Sequence, residues 1–205
     1  MLGSDIETAI DEALDAAVAS WSADGFDRFD DSEANCTVQL YRWIKEATRQ
    51  HATLDCLSAG IESVQLTPEM LEGKADAGKA RRPDIRLSIG SIARTTECKR
   101  LAETGVLPGR YVNEGMVRFV DGSYANRDRQ GRMVGYVQHG DPVKIVTKIN
   151  NAVGKHPLMG AGHELQAAPG LGSLQANYES SHVRKNALSP FQLRHHLIEV
   201  PPKVP

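Results

Sequence analysis

The sequence predicts a single α/β domain, on three observations. Segments with apolar residues at helical spacing alternate with segments of strand character, in the order α, α, β, β, β, α, β, α, β. Hydrophobic residues make up 40% of the 205 and charged residues 24%, a balance that supports a buried core and excludes global disorder. No internal repeat or clear linker divides the chain, so the domain is expected to span 1–205. Its parts would be an N-terminal helix and turn (1–31), a core (32–153), and a Gly-rich loop with a terminal strand (154–205).

The elements follow in order. Ser4 and Glu7 have the spacing of a capping box, and Ile6, Ile10, Ala13, Leu14, Ala17, Val18 and Trp21 form one apolar stripe behind them. The Gly- and Asp-rich run 24–31 reads as a turn. Asp31 or Ser32 can cap a second helix, with Leu40, Tyr41, Ile44, Ala47 and Thr48 on its buried side. Residues 61–66 alternate apolar and polar before Thr67-Pro68, as a short strand does, and 69–82 reads as an exposed loop. Two strands are expected over 84–89 and 92–101, joined by Gly90-Ser91, where glycine can take the positive φ that begins a type II′ turn. Residues 111–120 read as helix and 132–138 as strand. Asp141-Pro142 starts a helix with Val146, Ile149 and Val153 on one face. Five glycines and two prolines over 154–172 predict a long loop, and 195–200 reads as an apolar strand stopped by Pro201-Pro202.

Composition limits the function classes. The 24 Lys+Arg against 26 Asp+Glu give a formal charge of −2, which excludes a wholesale basic DNA-coating protein but leaves room for a local basic patch. No stretch approaches the ~20 apolar residues of a membrane span. The first fifteen residues are acidic and amphipathic, unlike a signal peptide. Cys36, Cys56 and Cys98 are an odd set without CxxC spacing and read as reduced thiols, so a cytoplasmic location is expected. Five of the seven histidines fall after residue 155, but without HExxH or comparable ligand spacing. His195 and His196 are adjacent on a strand and point to opposite faces, so at most one can serve a given site.

The chemistry concentrates in 82–100. If the chain turns at Gly90-Ser91, Ile89 faces Ile92 and counting outward brings Asp84 opposite Glu97. Opposed residues on an antiparallel pair lie about 4.5–5.5 Å apart at Cβ and share a face. Lys99, two residues beyond Glu97, shares that face too. Two carboxylates this close repel unless a cation lies between them, and hard oxygen donors favour Mg²⁺ or Mn²⁺ over zinc. The plainer alternative is a solvated strand face carrying an ordinary ion pair.

Pro83-Asp84, twelve intervening residues and then Glu97-Cys98-Lys99 resemble the PD-(D/E)xK signature of the restriction-endonuclease-like nuclease superfamily. The resemblance implies an α/β core with a central mixed β-sheet flanked by helices, and metal-dependent hydrolysis of phosphodiester bonds. It implies that Asp84 and Glu97 bind the metal, with the main-chain carbonyl of Cys98 as a further ligand, and that Lys99 positions or polarises the attacking water. A glutamate on the preceding helix completes the metal shell in many members. Glu33 is the natural candidate for it and Glu46 the weaker one, although an acid in a helix's first turn also simply stabilises the helix dipole.

Arg82, Arg100, Tyr111 and Arg118 are candidates for contact with nucleic acid, with Tyr124, Lys79 and Arg81 nearby. The expected activity is a Mg²⁺- or Mn²⁺-dependent nuclease acting on DNA in restriction, anti-phage defence or repair, with RNA as the lesser alternative. The competing reading is a catalytically silent subunit that keeps the nuclease fold and binds nucleic acid or assembles with a larger ATPase or sensor. One site per chain would make double-strand cutting a task for a homodimer.

Overall fold

A computed structural model of the chain describes residues 2–61, 68–76, 85–125, 127–185 and 188–203. The fold is α/β. Its seven strands, hydrogen-bonded in the order β1-β2-β3-β4-β7-β6-β5, form a mixed sheet, and helices pack on its strands. The chain resolves into two compact units. One comprises 1–93, 171–174 and 202–205, and the other 94–170 and 175–201.

The first unit is built on α1 (Leu2–Ala23) and α2 (Glu33–Gln50), which pack together, and on the antiparallel pair β1 (Ser58–Ile61) and β2 (Ile85–Ile89). The whole predicted stripe from Ile6 to Trp21 is buried, so burial on one side organises α1. The helix begins at Leu2, so Ser4 lies within it rather than at its cap. Ser32 is the N-cap of α2, its side chain accepting from the Asn35 N–H at 3.3 Å. The turn between the helices places Gly25 and Phe26 at positive φ and tethers the Trp21 indole N–H to the Asp27 carbonyl at 3.0 Å. The predicted strand at 61–66 starts earlier, at Ser58, and 62–66 lie outside the described residues. Part of the expected loop is a short helix, α3 (Pro68–Leu71), held by the Gln39 side chain, which donates to the carbonyls of Met70 and Leu71.

Gly90, at φ 56°, turns the chain from β2 into β3 (Ile92–Ala102), as the sequence predicts. In the second unit β3 runs parallel to β4 (Gln130–His139), and β4 parallel to β7 (Phe191–Glu199). β6 (Ala176–His182) and β5 (Gln166–Ala168) then continue antiparallel. One face of this sheet is covered by a helical run and by α6 (Pro142–Lys155). The run comprises α4 (Leu107–Arg110), a π-helical turn (Tyr111–Met116) and α5 (Val117–Val120). Asp141 caps α6, accepting from the Val143 N–H at 2.8 Å. Tyr111, Met116, Phe119, Met133, Ile145, Ile149, Phe191 and Leu193 fill the core between the layers.

Glycines bring these layers close. A Cβ on Gly131 would sit 2.6 Å from the Phe119 ring and 2.9 Å from that of Phe191. A Cβ on Gly115, in the π-helical turn, would meet the Met133 Cε at 2.5 Å and the Lys99 Cγ at 3.5 Å. The helical run therefore lies directly over Lys99 on β3.

Candidate functional site

The register of the parallel strands places Glu97, Met133 and His195 side by side across β3, β4 and β7, with Lys99, Gly135 and Leu197 in the next row on the same face. Glu97 and Lys99 are both buried, and the Lys99 ammonium donates to the Glu97 Oε1 at 2.6 Å and to the Cys98 carbonyl at 3.0 Å. A carboxylate oxygen and a main-chain oxygen thus converge on one cationic group. Arg118 reaches the same Glu97 Oε1 from α5 at 3.1 Å. One carboxylate therefore carries two cations, and burial strengthens both attractions.

Arg118 is held in turn. Its Nη1 donates to the Tyr124 hydroxyl at 2.8 Å, and its guanidinium carbon lies 5.4 Å from the centre of that ring. The Tyr124 N–H closes back onto the Arg118 carbonyl at 2.7 Å, so the turn after α5 is tied to the residue whose side chain it orients. The Arg118 side chain keeps 33% of its surface exposed, against 0% for Glu97, so of this cluster it is the group a ligand in solvent can reach.

The other candidates are distributed as follows. Asp84 and Arg82 lie outside the described residues, as do Lys79 and Arg81. Arg100 is on β3, but one step out of phase with Lys99, so it belongs to the opposite face of the sheet. Tyr111 is fully buried, its hydroxyl 2.9 Å from the His195 Nδ1, and desolvation pushes its phenol well above the ordinary value. It is a core residue and not a surface contact for phosphate. Glu33 occupies the first helical position of α2, in the first unit. Among the described residues, no three His, Cys, Asp or Glu side chains gather in a group able to hold a metal ion, and Asp84 is not among them.

A second polar cluster lies in the same unit. The Ser180 hydroxyl bridges the His182 Nε2 at 2.7 Å and the His195 Nε2 at 2.8 Å, so Tyr111, His195, Ser180 and His182 form a hydrogen-bonded chain. The His163 ring stacks on His182 with centroids 5.2 Å apart. Burial, with smaller contributions from His163 and Arg184, lowers the His182 pKa to about 3. Burial likewise holds His195 well below the usual imidazole range. On the opposite face, as the adjacency of the pair predicts, His196 binds the Asn177 Oδ1 at 2.8 Å and Arg132 at 3.2 Å. The sequence singles out these histidines but not Ser180, Asn177 or Arg132. Their role depends on strand pairing, which no local spacing announces.

No protein-family model, curated protein or solved structure matches this chain. No helix among the described residues is long and apolar enough to cross a membrane.

Proposed function

We propose that this protein is a Mg²⁺- or Mn²⁺-dependent nuclease that hydrolyses phosphodiester bonds in DNA, with a restriction-endonuclease-like core. The observation that carries the proposal is the convergence of Glu97, Lys99 and Arg118, in which the first and third residues of the Glu97-Cys98-Lys99 motif sit buried beside a reachable arginine. The donor chemistry suits a hard divalent cation. The Glu97 Oε1 and the Cys98 carbonyl already converge on a cationic group, and both are oxygen donors. With Asp84, they are the residues that would hold the metal.

When bound, such an ion supplies charge neutralisation at the phosphate and lowers the pKa of a water. The chain's own residues do the rest. Lys99 places a fixed positive charge beside the Glu97 carboxylate, where it orients and stabilises an incoming oxygen nucleophile. Arg118 offers a planar set of donors to a phosphate oxygen from the exposed edge of the cluster. Tyr124 fixes the direction of that guanidinium. Burial of Glu97 keeps bulk water from screening these charges. Restriction, anti-phage defence and repair are the settings such an activity suits.

The decisive experiment is incubation of purified protein with supercoiled plasmid and Mg²⁺, alongside Asp84→Ala and Lys99→Ala. Nicking by the wild type and its loss in both variants is expected, whereas equal nicking by all three overturns the assignment.

One observation favours the second reading, a silent nucleic-acid-binding subunit. Among the described residues, Lys99 and Arg118 already compensate the Glu97 charge, so the buried carboxylate has cationic partners without a metal. In that case Asp84→Ala leaves DNA affinity unchanged, and calorimetry detects no Mn²⁺ binding.

A further inference from the structure

Cations that the Glu97 site does not use gather in the second unit, where β4 and β7 begin. Arg127 and Arg129 lie in the turn between α5 and β4, and the Arg129 carbonyl accepts from the Gln192 N–H on β7 at 2.8 Å. Lys185 follows β6 on the way to β7. Its neighbour Arg184 staples the two segments together. Arg184 is buried on the Phe191 ring and donates to the carbonyls of Tyr124, Ala125 and Asp128 at 3.1, 2.9 and 3.2 Å. The staple shapes the turn without help from the side chains of Arg127, Arg129 or Lys185. All three are exposed, and among the described residues no carboxylate pairs with any of them. The acids of the same turn are otherwise engaged: Asp128 pairs with Arg94 at 3.5 Å, and Asp121 accepts from the Ser123 N–H at 2.8 Å. Like charges gathered on one surface repel, so the fold keeps a positive field here that an anionic partner would relieve.

We propose that Arg127, Arg129 and Lys185 take the phosphate backbone of duplex DNA on one flank of the phosphate held at Arg118; this rests on the nuclease reading of the Glu97 site. The spacing suits such a flank. Glu97 stands opposite Met133 in the register, so four residues of extended chain and one strand spacing put Arg129 about 14 Å from it at the backbone. At about 3.4 Å per nucleotide along a duplex strand, that distance is roughly four nucleotides. The two sites are also joined mechanically. Arg184 holds the carbonyl of Tyr124, the residue whose hydroxyl fixes Arg118, so one turn aligns both. The chemistry favours a duplex over a single strand. Exposed arginine and lysine side chains bind phosphate whatever the base, whereas single-strand surfaces add aromatic rings on which bases stack. Among the described residues, no aromatic ring of the second unit is exposed.

Binding measured without metal, as the salt concentration is varied, tests this independently of cleavage. The probes are a fluorescein-labelled DNA duplex longer than one helical turn, one of its strands alone, and poly-L-glutamate as an acidic polypeptide. Each phosphate contact contributes about 0.9 to the slope of log affinity against log salt. Arg127→Gln, Arg129→Gln and Lys185→Gln should each make the slope for the duplex shallower by about that amount, and the triple variant by about 2–3, while thermal unfolding stays unchanged. Lys144→Gln, beside Glu103 just beyond the other end of β3, should leave the slope as it is. A duplex that does not bind, or a slope unaltered in the triple variant, overturns the proposal. A single strand or poly-L-glutamate that binds as tightly as the duplex overturns the assignment to duplex DNA. Nicking with an unaltered slope removes the role of this surface alone, and a slope lost in the triple variant without nicking by the wild type removes only the cleavage reading.

Discussion

Glu97 is the residue on which the site's electrostatics turn, and its two cationic partners differ in worth. The Lys99 side chain is 4% exposed and its ammonium is 2.6 Å from the carboxylate, so removing it strands a buried charge. Breaking a buried pair costs roughly 3–5 kcal/mol, and the surviving Arg118 contact at 3.1 Å holds the loss to the lower end of that range. Lys99→Met is therefore expected to destabilise the fold by about 3 kcal/mol. Arg118, a third exposed, trades much of its attraction for hydration, so Arg118→Met should cost about 1 kcal/mol or less. Urea denaturation of both variants checks the ranking. If Arg118→Met proves the more damaging, Glu97 depends on the reachable arginine for its folding energy, and Arg118 is not free to turn to a phosphate.

Among the elements, β4 sets how closely the helical layer approaches the sheet. A Cβ added at Gly131 would meet two aromatic rings at 2.6 and 2.9 Å, and neither ring can shift without moving the core it packs in. Gly115 faces the terminal methyl of Met133, which can swing aside. Gly131→Ala should therefore cost about 1–3 kcal/mol, and Gly115→Ala clearly less, as thermal unfolding of the two variants would show. Asp141→Ala, which removes the cap of α6, is expected to cost about 1 kcal/mol. Elements stabilised by apolar burial on one side were legible in the sequence: α1, α2, α6, β2, β3, β4 and β7 all stand where periodicity or caps put them, within a few residues. The helical run is legible from Tyr111 onward, but Pro108 and Gly109 hide its first turn, and Gly115 gives no hint of the π-helical turn. β6 is not legible in the sequence. Its sequence, Ala176 to His182, lacks apolar alternation because its buried positions are Ser180 and His182, polar groups bonded to each other and, through Ser180, to His195 on β7. β5, three residues long, hides within the Gly-rich stretch. At the site, the strand period foretold the shared face of Glu97 and Lys99, whereas the engagement of Arg118 by Tyr124 and the burial of Tyr111 both depend on how the helical run packs.

At the scale of the whole molecule, the second unit's buried histidines make its stability sensitive to acid. Tyr111, His195, Ser180 and His182 form a chain in which each ring needs only one proton to satisfy its bonds, so a second has no structural use. His163 and Arg184 beside His182, and Arg132 and Arg194 beside His196, add repulsion to the desolvation that already disfavours charge. The folded His182 takes up its proton only near pH 3, and His195 and His196 are held well below the usual range, whereas an unfolded histidine titrates near 6.5. Between those values the unfolded chain binds more protons than the folded one, so stability is full above pH ~6.5 and falls as the pH drops towards 3. Each such histidine contributes a slope of up to about 1.4 kcal/mol per pH unit within that window. Urea unfolding measured from pH 7.5 to 4.5, above the range in which most carboxylates titrate, should show this decline. His182→Gln should lessen the slope by about one proton's worth. A stability that stays flat over this interval would mean that the three imidazoles take up protons in the native state, in conflict with their burial.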